Sequence, residues 1–437
     1  MRTLPEMDVL TLATNLEECG TARAEGRVSH VIGLTVESRG PRISIGDQVW
    51  IETETQRRIP AEVVGFKERS VILMPVEHLS GIRPGARVLP GGRLQTRAGY
   101  GLLGRVLDGL GRPLDGGPTP DGLTPVAIDR ASPLPMERTR LSDVFATGIR
   151  SIDGTLTCAK GQRMGIFAGS GVGKSTLLGS LARNACATVN VIALIGERGR
   201  EVRDFIETAL GDGLRKSVVV VATADQSPLM RIKGAGTAVA IAEYFRDRGE
   251  HVLLQMDSVT RYAMAQREVG LAIGEPPTTK GYPPSVFGLL ARLLERSGAM
   301  GKGSITGFFS VLVEGDDMND PIADAARSIL DGHIVLGRHL AEANHYPAVD
   351  VLASVSRCMS DVTPPRHREL AGHLRSLLST YRKAEDLINV GAYVRGSNKR
   401  IDESIGKIDA INAFLRQPPD ESVALSETLA RMERALS

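Results

Sequence analysis

The segment from 163 to 187 carries the clearest chemical signal in this sequence. An apolar run from Met164 to Ala168 leads into the glycine-rich stretch GSGVGKST, which is followed by residues that favour a helix. Glycines allow successive backbone N–H groups to turn toward phosphate oxygens, and the N-terminus of the following helix adds partial positive charge. This order of strand, loop and helix predicts a phosphate-binding loop for a nucleoside triphosphate.

The residue types within this loop predict separate tasks. Lys174 is expected to reach the β- and γ-phosphates, and the hydroxyl of Ser175 is expected to ligate Mg²⁺. Ala168 occupies the first position of the G-x-x-x-x-G-K-[ST] pattern, where a small residue is tolerated. The residues expected to contact the nucleotide are Gly169, Ser170, Gly171, Val172, Gly173, Lys174, Ser175 and Thr176.

A second apolar run supplies a candidate magnesium ligand. It extends from Val252 to Met256, is interrupted by Gln255, and ends in Asp257. A carboxylate at the end of a strand beside the phosphate loop can hold the magnesium shell, although such residues also cap helices. Asp257 is therefore predicted to be a metal ligand together with Ser175.

Hydrolysis of a γ-phosphate also needs a positioned water and positive charge near the transition state. Glu197 follows a run from Val189 to Ile195, so its carboxylate is expected to orient and polarise the attacking water. A surface ion pair with Arg198 is the alternative for Glu197. Arg198 and Arg261 are expected to steady the phosphates or a closed interface, with structural ion pairing as the alternative.

Length and composition limit the class of protein. The chain has 437 residues, which suggests about two to four domains. Lys and Arg number 53 against 51 Asp and Glu, so no general attraction to nucleic acid or anionic membrane is expected. The cysteines lie far apart without C-x-x-C spacing, which argues against disulfides and zinc. Without an apolar signal or a membrane-length apolar run, a cytosolic protein is expected.

Changes in sequence texture divide the chain into four predicted parts. The first part is an N-terminal helical segment, 1–22, in which apolar residues of 8–19 stand at helical spacing. They predict a short amphipathic helix that docks on its own chain or on a partner. In 23–92, brief β-branched runs, the first from Val28 to Val36, predict a small β-barrel domain. Residues 93–360 alternate strands with helices, as in an α/β domain with a mostly parallel sheet. The helical pattern of 361–437 predicts a helical domain.

Small barrels often bind oligonucleotides, so nucleic acid is an alternative ligand for the predicted barrel. That segment holds ten Lys and Arg against eight Asp and Glu, and its aromatic residues are Trp50 and Phe66. Single-strand binding needs aromatic platforms along a basic groove. The two aromatics are better explained as core residues, and nucleic acid is not an expected partner.

Motifs along the chain stand in a recognisable order. They are ATGIRSID at 146–153, GSGVGKST at 169–176, GERGRE at 196–201 and LLQMDSVTRYA at 253–263. This order resembles the F1- and V-type rotary ATPases and the hexameric RecA-like proteins. Further motifs are similar to the type III protein-export ATPases, and the stretch DPIADAAR resembles their flagellar branch more than the needle-type branch. These motifs are GYPPSVF at 281–287, LLERSG at 293–298, LVEGDDMNDPIAD at 312–324 and SILDGHIVL at 328–336.

The resemblance implies a RecA-like P-loop core with a β-barrel before it and helices after it, and it implies ATP with Mg²⁺. Arg357 in VLASVSR matches the arginine finger that one subunit inserts into its neighbour's nucleotide site, with a strand-end cap as the alternative. Tyr346 in HYPAVD matches the aromatic residue that stacks on adenine in the F1 catalytic subunit, with ordinary packing as the alternative. Gly337 stands where this family is expected to have serine.

The resemblance also implies an assembly. In F1 rings the catalytic subunit carries the glutamate of Gly-Glu-Arg, and a non-catalytic partner supplies the arginine finger. This chain has both Glu197 and Arg357. It is therefore expected to form a homohexamer with six equivalent interface sites and to be inactive or weakly active as a monomer.

By the same resemblance, the expected activity is ATP hydrolysis that energises the export of flagellar proteins through a type III secretion apparatus. The expected partners are a dimeric stator-like regulator at the N-terminal helix, a coiled-coil stalk in the ring centre, and the export gate, chaperones and unfolded export substrates. Segment 265–285 is a candidate contact for the stalk or for substrate. The expected location is the cytoplasm, with peripheral association with the inner membrane at the export apparatus.

Four alternatives stay open. A needle-type virulence secretion ATPase would have the same chemistry. A rotary F- or V-type subunit is disfavoured by the 312–324 motif and by the presence of both catalytic groups. A Rho-like RNA translocase would need a basic, aromatic N-terminal domain. A structural nucleotide-binding ring without turnover is disfavoured by Lys174, Glu197, Asp257 and Arg357.

Overall fold

The computed structural model describes residues 25–313, 315 and 317–437. The predicted N-terminal helical segment, 1–22, lies outside the described residues. The chain divides into two compact units, Met1–Leu94 and Gln95–Ser437.

Strands of the first unit close into an antiparallel barrel, which confirms the predicted barrel. They are β1 (Gly26–Ile32), β2 (Thr35–Arg39), β3 (Asp47–Glu52), β4 (Arg58–Lys67), β5 (Ser70–Pro75) and β6 (Arg87–Arg93), in the order β1-β2-β5-β4-β3-β6. Aliphatic residues such as Val36, Ile51 and Leu73 fill the interior because alternate side chains of each strand point inward. The first predicted run is two strands, since Gly33 adopts a φ of +56° and turns the chain.

The second unit contains the strands that carry the predicted site. Its strands are β7 (Gln95–Ala98), β8 (Val106–Asp108), β9 (Thr124–Ala127), β10 (Val144–Phe145), β11 (Cys158–Ala159), β12 (Arg163–Ala168), β13 (Val189–Ile195), β14 (Ser217–Ala222), β15 (His251–Asp257), β16 (Gly298–Met300), β17 (Gly303–Leu312), β18 (Gly332–Leu336) and β19 (Val355–Ser356). β7 pairs with β9, and β10 pairs with β11. The others form one sheet in the order β19-β18-β12-β17-β15-β13-β14-β8, with β16 added beside β17.

This sheet is parallel except at β16 and β19, which pair antiparallel with their neighbours. β13 and β14 are buried along their whole length, as expected for parallel strands that helices cover on both faces. The predicted α/β domain is therefore confirmed. Because parallel strands end at the same edge, the residues that follow β12, β13 and β15 meet there.

Helices of the second unit connect these strands and form its C-terminal part. The α-helices in the described residues are α1 (Arg150–Thr155), α2 (Lys174–Asn184), α3 (Gly199–Asp204), α4 (Pro228–Arg246), α5 (Val259–Ala272), α6 (Ser285–Leu294), α7 (Pro321–Ile329), α8 (Arg338–Glu342), α9 (Met359–Val362), α10 (Pro365–Asn389), α11 (Lys399–Leu415) and α12 (Leu425–Leu436). A π-helical turn, Phe205–Leu210, continues α3. None of the helices in the described ranges has the length and apolar character needed to cross a membrane.

Arg150 in α1 joins the C-terminal helices to the nucleotide-binding fold. Its side chain is 7% exposed and lies against Glu421, to which Nη1 donates at 2.9 and 3.0 Å. Nε donates to the carbonyl of Phe414 at 2.8 Å, and Nη2 donates to the carbonyl of Arg416. The backbone N–H of Arg150 donates to Gln417 Oε1 at 2.8 Å. One buried guanidinium thus satisfies several acceptors at the start of the turn between α11 and α12.

Replacing Arg150 by Leu should destabilise the second unit, because two carbonyls lose a buried donor and Glu421 keeps only Arg431 as a charged partner among the described residues. We expect the free energy of unfolding, measured by urea denaturation, to fall by about 2–4 kcal/mol. Arg366→Leu is the matched control, since Arg366 pairs with Glu433 at an exposed position. Equal midpoints for the two variants would contradict the assigned role of Arg150.

Candidate nucleotide site

The predicted phosphate loop lies where a loop of this kind must lie. β12 ends at Ala168 and α2 begins at Lys174. Gly171 and Gly173 have φ values of +79° and +89°, in the left-handed region that favours glycine. A Cβ atom on Gly173 would also lie 3.3 Å from Cε1 of Tyr346. The left-handed backbone conformation therefore favours glycine at position 173, and a larger residue would also crowd the ring of Tyr346.

The loop presents both polar side chains and backbone donors to solvent. Ser170, Ser175 and Thr176 are exposed, whereas Gly169 and Val172 are buried. The first turn of α2 has backbone N–H groups without helical acceptors. This combination of exposed hydroxyls and N–H groups at a helix N-terminus suits an anionic ligand.

Lys174 brings the predicted catalytic residues together. Its Nζ lies 2.5 Å from Asp257 Oδ1 and 3.7 Å from Glu197 Oε1. Burial lowers the pKa of Lys174, but the charges of Asp257 and Glu197 outweigh burial and leave that pKa raised. The ammonium group is therefore charged and neutralises part of a buried acidic cluster.

Glu197 is a mostly buried carboxyl at the end of β13. Burial is the main cause that raises the pKa of Glu197 to about 7, and the nearby charge of Asp257 acts in the same direction. A side-chain hydrogen bond with Glu201 contributes and lowers the pKa of Glu201. A carboxyl with a pKa near neutrality is suited to accept and release a proton at physiological pH.

Asp257 ends β15 and is 4% exposed. The interruption at Gln255, which the sequence could not explain, has a structural reason. Gln255 is fully buried, and its Nε2 donates to the carbonyl of Leu178 in α2 at 2.9 Å. This bond ties the strand that ends in Asp257 to the helix that begins at Lys174.

Tyr346 lies beside the phosphate loop. It contributes to a cavity with Ile149, Gly173, Thr176 and Leu177. Tyr346 is 39% exposed, so part of the residue is accessible to a ligand. The predicted adenine-contact residue is therefore adjacent to the predicted phosphate-contact residues.

Arg357 lies at the opposite edge of the sheet from the phosphate loop. It follows β19, which pairs antiparallel with the start of β18, and its backbone N–H donates to the carbonyl of Asp331 at 3.0 Å. Asp331 in turn hydrogen-bonds to Arg163, the first residue of β12. The length of β12, roughly 16 Å, separates this edge from the loop that follows Ala168. Arg357 is exposed and does not join the cluster around Lys174 in its own chain.

The other predicted arginines have different surroundings. Arg198 is 82% exposed, and its ion pair among the described residues is with Glu201 at 3.2 Å, not with Glu197. Arg261 lies close enough to lower the pKa of Lys174 by charge repulsion. Its Nε is buried and has no hydrogen-bond partner among the residues that the structure describes.

Two residues at the site were not predicted. Ser310 Oγ donates to Asp257 Oδ1 at 2.6 Å, and Arg338 Nη1 donates to the carbonyl of Ser170 at 3.5 Å. Ser310 belongs to an apolar strand, so its only sequence signal is a hydroxyl within the run from Phe308 to Leu312. Neither residue belongs to a motif with a known spacing to the loop.

Family models match three consecutive parts of the chain. The ATP synthase alpha/beta family supplies two, its beta-barrel domain at 28–92 and its nucleotide-binding domain at 148–356. The third is the T3SS EscN ATPase C-terminal domain, which matches 363–434.

Individual proteins match over nearly the whole length. The flagellum-specific ATP synthase of Bacillus subtilis is 54% identical, and the match covers 98% of each chain. The type 3 secretion system ATPase of Xanthomonas euvesicatoria is 51% identical over 96% of each chain. The structure of the assembled ATPase EscN in complex with its central stalk EscO, from the type III secretion system of enteropathogenic E. coli, has a TM-score of 0.88. That structure is 43% identical, with 94% of this chain and 100% of that chain covered.

These matches confirm the resemblance found in the motifs and the expectation of an ATP-hydrolysing enzyme. The barrel, the parallel sheet with its phosphate loop and the C-terminal helices of the structure correspond in order to the three family models. The chain therefore belongs to the export ATPases of flagellar and type III secretion systems, within the ATP synthase alpha/beta family.

Proposed function

We propose that six copies of this chain form a ring that hydrolyses Mg-ATP at its subunit interfaces and so energises the export of flagellar proteins. The observation that carries this proposal is the placement of the two catalytic halves. Lys174, Glu197 and Asp257 lie together at one edge of the sheet, and Arg357 lies at the other.

The phosphate loop and its neighbours bind the nucleotide in this proposal. Backbone N–H groups of 169–176 hold the phosphates, and Lys174 exchanges its carboxylate partners for the β- and γ-phosphates. Tyr346 stacks on adenine. Glu197 in its ionised form accepts a hydrogen bond from the attacking water and takes its proton. Arg198 swings from Glu201 to steady the phosphates.

The residues present fit a magnesium ion. Asp257 Oδ2 accepts no hydrogen bond from the described residues, and the Ser175 hydroxyl is exposed on the first turn of α2. No group of three or more His, Cys, Asp and Glu in the described ranges could hold a metal alone. Asp257 and Ser175 would therefore hold the ion, which prefers oxygen ligands. When bound, the metal neutralises charge on the phosphate oxygens.

Arg357 acts on the neighbouring subunit. About 16 Å of sheet separates it from its own phosphate loop, which is longer than an arginine side chain. In a ring of identical chains the same exposed arginine can reach the next subunit's site. An arginine finger contributes about 10³–10⁵ in rate, so the isolated monomer is expected to be weakly active.

The assembly and partners follow from the relatives. EscN is assembled and binds a central stalk, EscO. We extend this to a homohexamer whose centre holds a coiled-coil stalk, with 265–285 as a contact. The further proposed partners are a dimeric regulator at 1–22, the export gate, chaperones and unfolded substrates. The proposed location is at the inner membrane, by peripheral attachment. The domain limits at 23–92, 93–360 and 361–437 remain part of it.

A needle-type secretion ATPase is the second candidate, because the Xanthomonas relative is nearly as similar as the flagellar one. The chemistry at Lys174 and Glu197 is the same in both. Secretion in the cell, and not hydrolysis in solution, distinguishes them.

The raised pKa of Glu197 predicts a pH dependence of hydrolysis. The carboxylate, which is the active form, is populated above the pKa of about 7, so kcat/KM for Mg-ATP should fall about tenfold per pH unit below it. ATP binding to Glu197→Gln, measured over the same pH range, is the control. This variant has no carboxyl at position 197, so its pH dependence reports the ionisation of ATP and not that of Glu197. A plateau that extends down to pH 5.5 would contradict this assignment.

Mixing of two inactive variants tests the shared interface site. Glu197→Gln and Arg357→Ala should each lack activity, whereas an equimolar mixture should regain about a quarter of the sites, because some mixed interfaces hold both intact groups. Glu197→Gln mixed with the double variant is the control, since that mixture has no intact site. Absence of rescue, with a specific activity independent of protein concentration, would overturn the ring.

Replacement of Lys174 by Ala in the organism's own copy tests the flagellar assignment. We expect flagellin secretion and motility to be lost while growth stays normal, because hydrolysis energises export. Lys67→Ala removes an exposed lysine and should leave both unchanged. Intact motility in Lys174→Ala cells would exclude the flagellar role and direct the test to secreted effectors.

A further inference from the structure

Ser310 lies between the phosphate-loop strand and the strand that ends in Asp257. β17 pairs with β12 on one side, where Ser310 stands opposite Ile166, and with β15 on the other. The Ser310 side chain is fully buried, and its Oγ donates to Asp257 Oδ1 at 2.6 Å. A hydrogen bond from a hydroxyl to a carboxylate is charge-assisted and about twice as strong as a neutral one.

The two oxygens of Asp257 have different surroundings. Oδ1 contacts both Lys174 Nζ at 2.5 Å and Ser310 Oγ at 2.6 Å. In the part of the chain that the structure describes, Oδ2 accepts no hydrogen bond. The protein therefore holds one oxygen and leaves the other for a ligand.

We infer that Ser310 is a positioning residue for the metal ligand Asp257, an inference that rests on the proposed function. When nucleotide binds, Lys174 transfers to the phosphates and leaves Oδ1. Ser310 is then the described donor that remains on that oxygen, and it fixes the orientation of the carboxylate. Loss of a hydrogen-bond partner of a metal ligand costs about 10–100-fold in metal affinity.

A purely structural role for the Ser310 hydroxyl makes a different prediction. The hydroxyl would then contribute to the stability of β17 without changing metal affinity. Ser304 provides a matched comparison, because it is a buried serine on the same strand and hydrogen-bonds His251 at 3.0 Å. Removing either hydroxyl deletes one side-chain hydrogen bond from β17, and of the two serines it is Ser310 that contacts Asp257.

The test measures metal affinity directly, on the full-length chain with bound ADP. Mn²⁺ is the probe, since it accepts the same oxygen ligands as Mg²⁺, and electron paramagnetic resonance reports the free ion. We expect Ser310→Ala to raise the Mn²⁺ dissociation constant about 10–100-fold. Ser310→Thr keeps the hydroxyl and should restore the affinity, and Ser304→Ala should match the parent.

The outcomes separate this inference from the proposed function. Asp257→Asn with an unchanged Mn²⁺ affinity would overturn the metal assignment itself. Weakened binding in Asp257→Asn together with parent-like binding in Ser310→Ala would overturn only the role of Ser310. Ser310→Cys, whose thiol is a weak donor, decides the question if the alanine variant does not fold. It should weaken Mn²⁺ binding, and parent-like affinity would again overturn the inference.

Discussion

The position of one ammonium group between two buried carboxylates governs the architecture around it. Lys174 Nζ contacts Asp257 Oδ1 at 2.5 Å and lies 3.7 Å from Glu197 Oε1. Two carboxylates this close to one cation oppose each other's ionisation, and removing one partner of a buried ion pair costs roughly 3–5 kcal/mol. The cluster is stable only while some positive charge remains in it. The strands and the helix that carry these three residues must therefore keep the ammonium group close to both carboxylates.

The parallel sheet satisfies this constraint because its strands all end at one edge. The phosphate loop with Lys174 follows β12, Asp257 ends β15, and Glu197 follows β13. β17 lies between β12 and β15 in the sheet. A buried polar residue also fixes β15 relative to α2, because Gln255 donates to the carbonyl of Leu178. The same geometry places Arg357 at the opposite edge of the sheet, away from the cluster around Lys174 in its own chain. Under the proposed function, this sheet separates the two halves of a site that is completed at a subunit interface.

The sequence allows prediction of those features that follow from local pattern. Lys174 and Asp257 could be predicted because each follows an apolar run, and that pattern encodes a buried parallel strand. The role of Gln255 could not be predicted, since its acceptor lies on a helix far away in the chain. The contact of Ser310 with Asp257 was not predicted for the same reason, because the order of strands in the sheet, and not sequence spacing, brings the two residues together. Gly33 shows the limit at element boundaries, where one continuous β-branched run became two strands.

Charge balance also links nucleotide binding to cation binding. In the proposed mechanism, ATP takes Lys174 away from Asp257 and leaves two carboxylates beside the phosphates. Such an arrangement is unfavourable in a site of low dielectric. Glu197 can relieve it by holding a proton, since burial raises its pKa to about 7, but a protonated Glu197 cannot activate water. A second cation beside Asp257 also relieves it, and the inferred role of Ser310 is to hold Oδ1 so that Oδ2 faces that cation. Under the proposed function, the complex of ATP with a divalent ion, and not ATP alone, is therefore the species that restores the charge balance and leaves Glu197 ionised.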